Sequence, residues 1–75
     1  MNPDQLVRML NQIEAFFRST PDHAAAVAGI ASHLRRFWDP RMRRAIIAHV
    51  ENGGAGLGEL AREAVRSLAT PARPD

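Results

Sequence analysis

Cysteine is absent from the 75-residue sequence, and its absence excludes two kinds of stabilisation. Without thiols, the chain has neither disulfides nor thiolate-held metal or iron–sulfur sites. A chain of this length buries only about 60 % of the surface that its unfolded form exposes. Domains this small usually depend on a staple or a partner for stability. We therefore expect the chain to associate with another protein.

Long apolar runs are also missing. No segment approaches the roughly 20 apolar residues that a membrane span needs. The N-terminus lacks the basic and then apolar stretch of a secretory signal. We therefore expect a soluble, cytoplasmic protein with no membrane contact.

Lysine is absent as well, so all ten basic residues are arginines. Eight carboxylates nearly balance them, which leaves a formal net charge of +2. Such a balance gives little of the general positive field that attracts nucleic acid. The distribution of the arginines is therefore more informative than their number.

Proline follows a polar capping residue three times and predicts three helix starts, at Asn2-Pro3, Thr20-Pro21 and Asp39-Pro40. Asn52-Gly53-Gly54 predicts the end of the third helix, since glycine readily adopts the left-handed conformation found there. The predicted helices run from about residue 2 to 19, from 20 to 37 or 38, from 40 to 51 and from 58 to 68.

Apolar residues recur every three or four positions in each segment, and no strand-like alternation is present. The first helix carries one apolar face, which is formed by Leu6, Leu10, Ile13 and Phe17 and widened by Met9 and Phe16. These patterns predict an all-α fold, a small bundle or array of about four short helices. We expect a single helical domain over residues 1–69 and a flexible C-terminal tail at residues 70–75.

The second helix is rich in small residues, and two interpretations remain open. The small residues are Ala24, Ala25, Ala26, Ala28, Gly29 and Ala31. Alanine favours helices in any context, but small residues also let a helix approach its neighbour closely. Gly29 costs about 1 kcal/mol relative to alanine in mid-helix, which favours a packing reason at that position.

Residues suited to catalysis are few and scattered. His23, His33 and His49 match no metal-binding spacing, and no serine lies in a nucleophile elbow. The glycine-rich segment 53–58 lacks the lysine of a phosphate-binding loop and follows a helix rather than a strand. We therefore predict no catalytic, cofactor-binding or metal site in this chain.

The most distinctive segment is residues 35–44, which combines five arginines with the only tryptophan. Three interpretations compete: a nucleic-acid contact, a protein interface, or a structural corner between two helices. Arginine and tryptophan are enriched at interface hot spots, and arginine pairs well with carboxylates. The predicted partner-binding residues are Arg35, Arg36, Phe37, Trp38, Asp39, Arg41, Met42 and Arg43. In this hypothesis Trp38 is the apolar anchor, and the arginines meet acidic groups of the partner.

This segment resembles the delta subunit of soluble, molybdenum-containing, NAD-dependent formate dehydrogenases. The resemblance covers roughly residues 5–68 and is sharpest at residues 37–43. Further matching stretches are Leu6-Val7-Arg8-Met9, Asn11-Gln12-Ile13, Phe16-Phe17, Pro21-Asp22, Ile30-Ala31-Ser32-His33-Leu34, Gly53-Gly54-Ala55-Gly56-Leu57 and Ala64-Val65.

The resemblance implies a non-catalytic accessory subunit that assembles with and stabilises the complex. Its partners would be the alpha, beta and gamma subunits, with alpha in direct contact. The complex would hold a molybdenum–pterin centre, iron–sulfur clusters and FMN, none of them in this chain. Two alternatives remain: a small arginine-rich nucleic-acid-binding regulator, and a transient maturation chaperone of the same enzyme.

Overall fold

The computed structural model describes residues 2–69, which form four α-helices and, within that range, no strand. The helices are α1 (Pro3–Phe17), α2 (His23–Phe37), α3 (Pro40–Glu51) and α4 (Glu59–Ala69). The prediction of an all-α fold is therefore confirmed. The predicted tail at residues 70–75 lies outside the described residues, as does Met1, so the division into domain and tail stays a prediction.

Two of the three predicted helix starts are confirmed by their caps. The Asn2 side chain accepts a hydrogen bond from the Asp4 backbone N–H at 2.9 Å. The Asp39 side chain accepts one from the Met42 N–H, also at 2.9 Å. A capping side chain satisfies one of the backbone donors that the first turn leaves unpaired. In both helices proline occupies the first turn, where its missing N–H costs nothing.

The predicted start of α2 is wrong by two residues. The cap is Asp22 rather than Thr20, and its carboxylate accepts a hydrogen bond from the Ala24 N–H at 3.3 Å. The Thr20 N–H instead donates to the Phe17 carbonyl at 3.0 Å and closes the end of α1. An aspartate at the cap also places negative charge at the positive end of the helix dipole.

The predicted end of α3 is confirmed. Gly53 and Gly54 have φ values of 115° and 66°, a region that residues with a Cβ rarely adopt. The Gly54 N–H donates to the His49 carbonyl at 2.9 Å, the bond expected of a glycine-ended helix.

All four helices contribute to one apolar core. Its buried members are Leu6, Leu10, Ile30, Ala31, Leu34, Trp38, Ile46, Leu57, Ala61, Ala64 and Val65. The most extensive contact is between α2 and α4, where the fully buried Ala61 and Ala64 allow close approach. Within the described range, no helix is both long and apolar enough to cross a bilayer.

Gly29 has the packing role that its cost in mid-helix suggested. A Cβ at this position would lie only 2.5 Å from the Phe17 ring, so the ring rests directly on the α2 backbone. Ala24, Ala25 and Ala28, by contrast, are exposed and fit the other interpretation, that of helix-forming residues. Both interpretations therefore apply, at different positions of α2.

Candidate partner-binding site

The segment 35–44, called the arginine corner below, turns the chain sharply between α2 and α3. Only Trp38 and Asp39 separate the two helices, and both have extended backbone conformations. Arg43 reaches back from α3 and donates hydrogen bonds to the carbonyls of Trp38 and Arg35 at the end of α2. These bonds pair carbonyls that the last turn of a helix leaves without partners.

Trp38 was predicted to anchor a partner, but the structure places it in the core. Its side chain is only 5 % exposed and belongs to the same cluster as Ile46 and Val65. Trp38 is therefore not among the exposed side chains of the corner, and its role as an anchor stays a prediction. The extended corner directs the indole towards the helices, where burial of a large aromatic surface stabilises the fold.

Three other predicted partner-binding residues also have structural roles. Met42 is half-buried against the core. Asp39 caps α3, and Arg43 binds the carbonyls at the end of α2. The structure thus uses these side chains to hold the corner in shape, whatever the corner contacts.

The remaining four predicted residues, Arg35, Arg36, Phe37 and Arg41, are exposed. Phe37 is 69 % exposed, which is unusual for a large apolar side chain. Its ring lies 4.8 Å from the ring of His33, and the Arg36 guanidinium lies 6.0 Å from its centroid. The exposed Phe37 ring therefore lies close to both an imidazole and a guanidinium.

A groove of about 590 Å³ lies beside Phe37, between α1 and the C-terminal half of α2. Its lining residues are Met9, Gln12, Ile13, Phe16, Phe17, His33 and Trp38. We call this feature the apolar groove. Phe16 is 76 % exposed and meets Phe17 edge-on, with ring centroids 5.2 Å apart. Phe16 and Phe37 are the two large apolar side chains left exposed in the described part of the chain; Phe16 lines the groove, and Phe37 contacts the lining residue His33.

The sequence prediction did not identify the groove. Phe16 was predicted to widen the apolar face of α1, but it lies outside the core. The width of the apolar face of α1 could have indicated the groove, because Leu6 and Leu10 already form a fully buried stripe on that helix. Apolar residues beyond such a stripe indicate a second contact.

A buried carboxylate, also missed, fixes α4 to α1. Glu14 is only 4 % exposed, and its Oε2 accepts hydrogen bonds from the N–H groups of Leu60 and Ala61 at 3.0 and 3.3 Å. Its Oε1 lies 3.5 Å from the Arg18 guanidinium. Glu14, in α1, therefore caps α4. The residue before α4 is Gly58, which has no side chain of its own to serve as a cap.

Asn11 extends this contact to the loop before α4. Its amide donates to the Gly56 carbonyl at 2.9 Å and accepts from the Gly58 N–H at 3.4 Å. A Cβ at Gly58 would lie 2.2 Å from the Glu14 carboxylate, so glycine is required there for the cap to form. Asn11 and Glu14 of α1 thus fix the loop before α4, and the glycine at position 58 leaves room for the Glu14 carboxylate.

The histidines contact different parts of the fold. His23 Nε2 lies 2.6 Å from Glu63 Oε2 and joins the start of α2 to α4. His49 Nε2 lies 2.9 Å from the Ala55 carbonyl. Over residues 2–69 no group of three or more His, Asp or Glu side chains is arranged to hold a metal ion.

Comparison with known families gives a match over most of the chain. Residues 5–65 match the family model described as NADH-dependent formate dehydrogenase delta subunit FdsD. No curated protein and no solved structure matches the chain.

Proposed function

The chain belongs to the family of NADH-dependent formate dehydrogenase delta subunits, and we propose that it serves its enzyme complex as a non-catalytic accessory subunit. In this proposal it docks on the catalytic alpha subunit and stabilises the assembled complex in the cytoplasm. The molybdenum–pterin centre, the iron–sulfur clusters and FMN reside in the partner subunits.

One observation carries the docking part of the proposal. Phe37 remains 69 % exposed although it lies next to the buried Trp38. The Arg36 guanidinium lies 6.0 Å from its ring centroid, and Arg35 and Arg41 are exposed at neighbouring positions of the corner. An exposed aromatic side chain in an arginine-rich segment matches the composition of interface hot spots, which favour Trp, Tyr and Arg and accept Phe in their cores.

The roles of the carboxylates support the non-catalytic part. Asp22 and Asp39 cap α2 and α3, Glu14 caps α4, and Glu63 pairs with His23. Each of these groups therefore has a structural partner that accounts for its position.

A tagged full-length chain, purified from its native cytosol, tests the proposal. We expect mass spectrometry to find the large subunit of a formate dehydrogenase in near-equal amount, and we expect the eluate to reduce NAD with formate. Recovery with nucleic acid would favour the regulator, with the steep salt dependence of phosphate contacts as its signature. Retention by immature enzyme alone would favour the maturation chaperone. Either of these results contradicts the proposal.

Charge reversal at the corner tests the docking surface. Arg41→Glu should lower co-purification of the complex roughly tenfold, because the new carboxylate repels an acidic partner surface. The double variant Ala28→Glu with Ser67→Glu is the matched control, since it makes the same change of two charge units at exposed positions elsewhere. Equal retention of both variants would show that the arginine corner does not dock.

A further inference from the structure

The apolar groove adjoins the arginine corner through Trp38, which lines it, and through His33, whose ring contacts Phe37. Its length along α1, from Met9 to Phe17, corresponds to about 12 Å or two helical turns. Its walls are helices, and in the described residues no strand edge is available to pair with an extended peptide. A helix laid along the groove is the recognition mode that fits these walls.

The groove is preformed rather than a gap left by poor packing. The Phe17 ring rests on the backbone at Gly29, where a Cβ would clash, and this contact sets the wall between α1 and α2. Trp38 is fixed in the core and contributes to the lining. Phe16 then stands edge-on to Phe17 at the exposed rim. A binding helix would therefore meet a surface that needs little rearrangement.

Exposed arginines lie beside both walls of the groove, and the carboxylate of Asp39, next to Trp38, is engaged as the cap of α3. Arg36 lies against Phe37 on the α2 side, and Arg8 is exposed one turn before Gln12 on the α1 side. No carboxylate lines the groove. Glu14, the one acid in the middle of α1, is turned away towards α4. A complementary helix would carry large apolar side chains on one face and acidic residues beside them.

A second copy of this chain does not fit that description. A symmetric dimer through the groove would bring Arg8 and Arg36 of one copy close to the same residues of the other, and like charges oppose such a contact. Helix α4 carries Glu59 and Glu63, but Arg62 and Arg66 balance them, and its apolar face is already buried through Ala61 and Val65. The occupant must therefore come from a different chain.

We infer that the apolar groove binds an amphipathic helix of a partner subunit, about two turns of which carry apolar residues at i, i+3 or i+4, and i+7, flanked by Asp or Glu. This inference rests on the proposed function and adds a second contact to the arginine corner. Phe16 lines the site on α1, Phe37 adjoins it on α2 through His33, and the helix lies along the groove over Trp38.

Photo-crosslinking in the intact complex tests the inference. Phe16 and Phe37 are each replaced by p-benzoylphenylalanine in the tagged full-length chain, and Ser67, exposed on α4, receives the same replacement as a control. The cells are irradiated, the complex is purified, and the crosslinked peptides are sequenced. Both groove positions should crosslink to one partner segment, at residues spaced as on a helix face, and Ser67 should not reach that segment.

The outcomes separate the groove from the proposed function. An intact formate dehydrogenase complex without crosslinks from Phe16 or Phe37, or with crosslinks to distant segments, overturns the groove assignment alone. Crosslinks to a second copy of the chain also overturn it. Crosslinks into an acidic amphipathic helix of a protein outside any formate dehydrogenase retain the groove assignment and overturn the proposed function.

A binding measurement on the same complex gives a second readout. Phe16→Asp should reduce co-purification roughly tenfold or more, since truncation of an aromatic anchor typically has effects of this size. The isolated variant should keep the helical circular dichroism of the parent chain, because Phe16 is 76 % exposed. Undiminished co-purification of Phe16→Asp would overturn the inference.

Discussion

Neighbouring aromatic residues at the corner have opposite environments. Trp38 is 5 % exposed and Phe37 is 69 % exposed, although they are adjacent in the chain. Replacing a buried tryptophan by alanine typically costs about 3–5 kcal/mol, a large part of the stability of a small domain. Loss of partner binding in Trp38→Ala would therefore not distinguish docking from folding. The exposed Phe16 and Phe37 are the informative positions.

The hydrogen bonds with which Glu14 caps α4 allow a prediction at the scale of one residue. Glu14→Ala should lower the free energy of unfolding by about 1–3 kcal/mol, because it leaves the Leu60 and Ala61 N–H groups without their acceptor. Urea unfolding followed by circular dichroism measures this difference. Glu51→Ala removes the same charge from an exposed position and should change the value by no more than about 0.5 kcal/mol. Equal losses in the two variants would show that Glu14 does not cap α4.

At the scale of elements, the ends of the helices were more predictable than their contacts. The bounds of α3 were predicted correctly, because Asp39-Pro40 and the glycines after Asn52 act through local hydrogen bonds and dihedral angles. The start of α2 was misplaced by two residues, since Thr20 and Asp22 are both good caps and only tertiary packing selects between them.

The contact between Phe17 of α1 and Gly29 of α2 allows a prediction for a substitution at Gly29. Alanine would normally stabilise a mid-helix position by about 1 kcal/mol. Gly29→Ala should instead destabilise the chain by about 1–3 kcal/mol, because its Cβ would overlap the Phe17 ring. In a Phe17→Leu background the smaller side chain should remove most of this loss. A double-mutant cycle measured by urea unfolding gives the coupling energy, and additive effects would contradict the contact.

At the scale of the whole molecule, one core joins the four helices, and Trp38 is part of it. Unfolding of the full chain should therefore be a single cooperative transition. Trp38 fluorescence and far-ultraviolet circular dichroism should give the same midpoint in urea, with red-shifted emission as the indole becomes exposed. Separate midpoints would indicate that the corner unfolds independently of the helices.

Because the core is small, we expect the stability of the folded chain to depend on its partner. A partner that binds only the folded chain stabilises it by about 2.7 kcal/mol when its free concentration is one hundred times the dissociation constant. The chain should therefore resist proteolysis much better within the complex than alone. Limited digestion of both forms compares the two, with Phe16→Asp as the variant expected to lose part of the protection. Equal digestion rates would argue against a stabilising partner.

The sequence alone determined the helices, the all-α class and the apolar face of α1, because capping residues, glycines and apolar spacing act over a few residues. The family resemblance of residues 35–44 was likewise readable without a structure, and the family match covers residues 5–65. Only the tertiary structure decided that Trp38 points inward and Phe37 outward, because that choice depends on helices packed from distant parts of the chain. The Glu14 cap joins groups 46 and 47 positions apart, and no local pattern encodes a bond of that range.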